Sequence, residues 1–357
     1  MRRSIALALA LMVSCGADPT PAPLWTTAPA EPPRTLAAWG LFEGSGASQR
    51  PAEGVMAYEV NAPLYSDDTL KYRFIALPPG RRITYRDRGV WGLPVGTVLV
   101  KTFAYPVDAR DLSRGLRLLE TRVMVRTAEG FIPHTYVWND AQTEAVRSVA
   151  GAVLDARWTD AQGAARTNNY LVPNTNQCLT CHGQRGVTDT LGLRTGQVDR
   201  TPSNGSVNQI DQMVTRGWFD GAVPAAAMRV RFANPADETA PVERRARAYL
   251  HANCAHCHNE ADTSMARLTG LHLDIDESDP VDLGRCRRPN SAGNGTGGRS
   301  FDLVPGDPEM SILVWRMRST DPALRMPQLP NNFVDESGVA VVSRWIQEMP
   351  ASPCATP

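Results

Sequence analysis

Arg247-Ala-Tyr-Leu-His-Ala-Asn-Cys-Ala-His-Cys-His258 is the stretch on which the reading of this chain turns. Ala246, Leu250 and Cys254 recur at i, i+4 spacing, so Val242 to Asn253 reads as a helix that runs into Cys-x-x-Cys-His. Two thiols at that spacing can each form a thioether to a haem vinyl group. The adjacent His258 then binds the iron from one face. A second copy lies upstream at Cys178-Leu-Thr-Cys181-His182. With only seven cysteines and six histidines in 357 residues, two such pentapeptides are far more than composition supplies by chance. The competing reading is zinc, because two Cys-x-x-Cys pairs can form a four-thiolate site. A histidine directly after both pairs favours two covalently bound haem c groups.

Outward from these motifs, the N-terminus supplies the compartment. Met-Arg-Arg-Ser precedes a short apolar run, Ile5 to Val13, too short to span a bilayer and typical of an export signal. The run ends at Leu11-Met-Val-Ser-Cys15, which resembles a lipobox, so residues 1–15 read as a lipoprotein signal peptide with Cys15 as the lipidated residue. An ordinary signal with an incidental cysteine is the alternative. Residues 16–35, rich in proline and alanine, read as a tether. The expected location is the cell envelope, on the periplasmic side or at the outer membrane. Disulfides form in that compartment. With Cys15 assigned to lipid and four cysteines to haem, Cys286 and Cys354 remain as one disulfide, or as two thiols. The 37 basic and 37 acidic residues balance, and nothing points to nucleic acid.

The expected fold class is multidomain β plus α: an N-terminal all-β sandwich or barrel-like domain over residues 36–172, followed by α-helical cytochrome c-type haem modules. Strands are predicted at Val98 to Pro106, Leu118 to Arg126, Thr135 to Trp138, Ala152 to Trp158 and Arg166 to Val172. Residues 173–238 form the first haem module, with a helix predicted over Val207 to Phe219. Residues 239–357 form a class I-like domain closed by a helix from about Val334 to Met349. Met326, followed by proline just before that last helix, is the expected far-side ligand of the second haem. Met228 is the candidate for the first haem, with His251, His256 and His272 as weaker alternatives. If both irons carry two protein ligands, the protein is an electron carrier with an unidentified redox partner protein. If the first is open, a peroxidase-like di-haem oxidoreductase is the alternative, and a non-redox protein with structural zinc is the other.

Several further stretches carry a resemblance: Asn61-Ala-Pro-Leu-Tyr-Ser-Asp67, Pro94-Val-Gly-Thr-Val-Leu-Val-Lys-Thr-Phe103, Glu120-Thr-Arg122, Tyr136-Val-Trp-Asn-Asp140, Leu171-Val-Pro-Asn-Thr-Asn-Gln-Cys178 and Val304-Pro-Gly-Asp-Pro-Glu-Met-Ser311. With the two haem motifs they resemble an uncharacterised family of exported bacterial di-haem c-type cytochromes, often encoded beside parallel β-helix proteins. The resemblance spans about residues 36 to 350 and implies the two cofactors. It implies no reaction, because that family has none established.

Overall fold

The computed structural model describes residues 22–27, 29, 31–184, 187–260, 265–290, 293–328 and 331–354. The expected signal, with Cys15, lies outside them. Strand formation begins where β-branched and aromatic residues alternate. Six strands form one open antiparallel sheet in sequential order: β1 (Val55–Tyr58), β2 (Leu70–Ala76), β3 (Val98–Pro106), β4 (Leu116–Arg126), β5 (Phe131–Trp138) and β6 (Ala145–Arg147). A separate hairpin, β7 (Ala152–Thr159) and β8 (Ala165–Val172), packs at the end of β3, where Tyr105 stacks on Trp158 with centroids 3.9 Å apart.

The period of two along each strand gives the sheet two faces. On the first, Val98, Val100, Val123 and Val125 pack with Trp39, Leu41 and Phe42 from the N-terminal segment. Trp25 joins this cluster at 5% exposure, so the expected tether docks onto the sheet from there onward. On the second face, Ile75 and Leu99 pack with Leu193, Val198, Ile210, Met213 and Phe219. Residues from the expected first haem module thus complete the core of the sheet; each fully buried aliphatic or aromatic side chain contributes roughly 1.5–3 kcal/mol.

The helical part of the expected fold class is not what forms. Among the described residues the α-helices are α1 (Thr175–His182), α2 (Thr195–Val198), α3 (Gln209–Thr215), α4 (Val242–Asn253), α5 (Ile312–Met317) and α6 (Glu336–Glu348). Only α4 and α6 exceed eight residues, and the protein is mostly β rather than a β domain followed by α-helical cytochrome modules. Neither is the β part a sandwich or barrel; it is one open sheet plus a hairpin. The helices are short because the segment between α4 and α6 is punctuated by left-handed glycines, among them Gly270, Gly284, Gly297 and Gly306, and by prolines that interrupt helix hydrogen bonding. The helix predicted over Val207 to Phe219 is likewise cut to α3, capped by Asn208 and ended near Gly217 at φ +68°.

Helices α4 and α6 cross closely, because Gly338 has no Cβ to meet the ring of Tyr249. Around them Ala246, Leu250, Val342, Trp345 and Ile346 form a second core. A polar seam joins this unit to the sheet. The carboxylate of Asp67 accepts from the backbone N–H of Asn332 at 2.7 Å, that of Phe333 at 3.0 Å and the Asn168 amide at 3.1 Å. The backbone N–H of Tyr65 donates to Asn253 Oδ1 at 2.7 Å, at the end of α4. Cys286 and Cys354 are joined by a disulfide with Cα atoms 5.1 Å apart. Among the described residues no helix is long and apolar enough to cross a membrane.

Candidate functional site

The upstream motif sits on α1. Asn174 and Gln177 form a capping box: each side chain accepts from the other's backbone N–H at 2.9 Å, which starts the helix three residues before Cys178. Helical spacing then puts Cys178, Cys181 and His182 on one side. All three line a cavity of about 620 Å³ between the second face of the sheet, α1 and the end of α4. Cys178 is buried, which pushes its thiol pKa up. His182 Nδ1 lies 2.9 Å from the carbonyl oxygen of Asp189. A carbonyl can only accept, so Nδ1 carries the proton and Nε2 keeps its lone pair for a metal. Burial lowers the His182 pKa to about 4, so the ring is neutral, the form that ligates.

The second motif follows α4 without a break. The Cys257 and His258 N–H groups both donate to the Cys254 carbonyl, at 3.0 and 2.8 Å, folding 254–258 into a tight turn. Burial pushes the Cys254 thiol up to about 12. His258 Nδ1 lies 3.5 Å from Thr269 Oγ1, and the ring is neutral, with a pKa lowered to about 4 chiefly by burial. The two motifs touch: the Cys257 thiol donates to the Thr180 carbonyl at 3.7 Å, inside the first motif.

The cavity floor holds three cations that were not singled out in the sequence. Arg73, Lys101 and Arg122 stand opposite one another in register across β2, β3 and β4, all facing inward. Like charges directly across a sheet are destabilising. Arg122 is offset by a bidentate pair with buried Glu120, at 2.8 and 2.6 Å, and Glu120 also accepts from the Tyr170 hydroxyl at 2.7 Å. Lys101 has no such partner among the described residues; its ammonium lies 4.7 Å from the Phe103 ring centroid. Burial, then Arg73 and Arg122, hold its pKa well below the usual lysine range. The signal was present in Val98-Leu-Val-Lys-Thr-Phe103, where a charge occupies a position on the apolar face.

Other expected ligands lie elsewhere. Met228 is 78% exposed and is not part of the cavity, so its thioether points to solvent rather than to the first motif. Met326 lines a separate pocket of only 20 Å³ with Tyr249, Met317 and Asp335, which no residue of the second motif lines. The Met326 N–H donates to the Arg316 carbonyl at 3.0 Å, and the Arg316 charge is felt by His258, so Met326 and the second motif belong to one lobe. A four-thiolate zinc site is not assembled: among the described residues, the one trio of potential ligands with atoms within 4.8 Å is His272, Glu277 and Asp282.

Tested against haem, the first site fits. It offers two thiols a helical turn apart, a histidine of fixed tautomer, an apolar wall of Leu99, Phe103 and Met124, and cations for carboxylates, all around one cavity. The second motif has the donor set, but the pocket beside Met326 does not admit a macrocycle. Comparison with protein-family models, with curated proteins and with solved structures finds no match to this chain.

Proposed function

We propose that this chain is an exported c-type cytochrome that passes single electrons between redox partners, with a covalent haem in the 620 Å³ cavity and a second at the downstream motif. The observation that carries the reading is the convergence of Cys178, Cys181 and His182 on that cavity, with the His182 tautomer set by Asp189. Haem supplies reversible one-electron exchange at its iron.

The chain's own residues do the rest. Cys178 and Cys181 would each add S–H across a vinyl group, which needs no oxidant and releases nothing. His182 Nε2 would hold the iron from the α1 side. Arg73 and Lys101 would face the cofactor's carboxylates, relieving a row of charge that the protein otherwise leaves only partly compensated. Leu99, Phe103 and Met124 exclude water from one face and lower the local dielectric, which tunes the potential. Cys254, Cys257 and His258 would supply the same donor set for a second haem, and the Cys257–Thr180 contact puts the two motifs side by side. The Cys286–Cys354 bridge suits an oxidising compartment and supports export, after which Cys15 would carry the lipid anchor.

Production in a host that attaches haem c tests the proposal. Two covalent haems per chain are expected by intact mass and by pyridine haemochrome spectra. Cys178→Ala with Cys181→Ala should leave one. Purified wild-type protein without covalent haem would refute the reading, and one tightly bound zinc would replace it.

A further inference from the structure

The 620 Å³ cavity holds one imidazole that no other part of the fold uses. His256, the third residue of Cys254-Ala-His-Cys-His258, lines this cavity together with Cys178, Cys181 and His182. Its Nδ1 is sealed from solvent and has no hydrogen-bond partner. A buried polar atom left without a partner costs about 1–3 kcal/mol, so it points to a missing ligand.

The other histidines are occupied or elsewhere. His251 Nδ1 accepts from the Ile275 N–H at 3.2 Å and lies 3.4 Å from Asp274, with its ring against Phe232. His272 lies between Glu277 and Asp282. His258 belongs to the downstream turn, and His134 packs near Trp39 on the first face of the sheet. The turn that carries His256 is held against α1, the helix that carries His182, by the Cys257–Thr180 contact.

We infer that His256 is the second axial ligand of the haem held by Cys178, Cys181 and His182, so that the spacer of one attachment motif completes the coordination of the other. This rests on the proposed cytochrome reading and extends it. The first iron then carries two imidazoles, has no open position for peroxide, and sits at a lower potential than an iron with a thioether ligand. The two cofactors become covalently and coordinatively linked through five residues, 254–258.

The test uses the haem-loaded full-length protein. Near-infrared magnetic circular dichroism and electron paramagnetic resonance of the wild type should show one bis-imidazole low-spin haem per chain; their absence would overturn the inference without any variant. In His256→Gln, half of the haem should become high-spin and bind carbon monoxide, and added imidazole should restore the low-spin spectrum. His256→Met should remain low-spin with one potential raised. A His256→Gln spectrum identical to wild type would overturn the inference while leaving the cytochrome reading intact, whereas wild type without haem would end both.

Discussion

Replacing Lys101 with methionine should stabilise the cofactor-free protein. Lys101 stands in register with Arg73 on one side and Arg122 on the other. Side chains at such positions bring their charges to roughly 7 Å, and at an effective dielectric of about 20 each pair repels by roughly 2 kcal/mol. Glu120 offsets Arg122, which leaves the Arg73 repulsion. Against it stands the cation–π contact with Phe103, about 0.5–1 kcal/mol at a partly open site. Methionine keeps the stem volume, so the net gain is roughly 1–1.5 kcal/mol, or about 3 °C in Tm at neutral pH and low salt. The pH dependence supplies the sign. The folded-state pKa of Lys101 is depressed, so between that value and roughly pH 10.4 the unfolded chain binds more protons. Wild-type stability therefore rises with pH across this window. Lys71, with a pKa lowered to about 7 mainly by burial, contributes in the same sense in both proteins, and its charge is also one of those that depress Lys101. In the haem-loaded protein the order should reverse, because the ammonium then has a carboxylate partner. Thermal melts of both forms from pH 6 to 10 measure this. A cofactor-free Lys101→Met protein less stable than wild type, or an unchanged pH slope, would refute the reasoning.

Three other outcomes follow from the packing. Asp302 is buried with its pKa raised to about 6, burial outweighing the pull of Arg287 and Arg316. The folded state thus holds its proton more tightly, and stability falls as pH rises from about 4 to 6, by about 3 kcal/mol in all; Asp302→Asn should flatten denaturant-measured stability over that range. Cys354→Ser opens a bridge with a sequence separation of 68, and the chain-entropy model puts the loss at about 4 kcal/mol; urea midpoints of oxidised wild type and variant test this, and equal midpoints would count against it. Gly338→Ala places a Cβ 2.2 Å from the Tyr249 ring, so α4 and α6 must separate, at a cost of about 1–3 kcal/mol; an unchanged Tm would show that the crossing adjusts freely.

Local pattern revealed the strongly alternating elements. The strands over Val98 to Pro106 and Ala152 to Trp158, and the helix from Val242 to Asn253, lie where hydrophobic period and turn residues put them. What sequence did not reveal depends on distant partners. β2 reads Leu-Lys-Tyr-Arg-Phe-Ile-Ala, and its Arg73 looks like a solvent position until the cavity is in view. The stretch from Val207 to Phe219 reads only as a short helix of the first haem module, yet its Ile210 and Met213, with Leu193, cover Ile75 and Leu99 of the sheet. The two pentapeptides were legible from their spacing alone. Their mutual contact was not, because Cys257 and Thr180 meet only in a fold where distant residues dock, Asn253 of α4 on Tyr65 and the 332–333 segment on Asp67. His256 was among several weak alternatives for the same reason: a residue's neighbours across a fold leave no trace in its own spacing.

The burial of the motif thiols has a consequence for the order of events in the life of the chain. Cys178 is 7% exposed, so its sulfur is not presented to an enzyme acting on the finished fold. On the proposed chemistry, the bond to Cys178 must be made while α1 is still apart from the sheet. Maturation is then a one-way sequence, with loading first and closure second. Once folded empty, the polypeptide should refuse added haem, and the same protein opened in denaturant and handed to the attachment machinery should accept it.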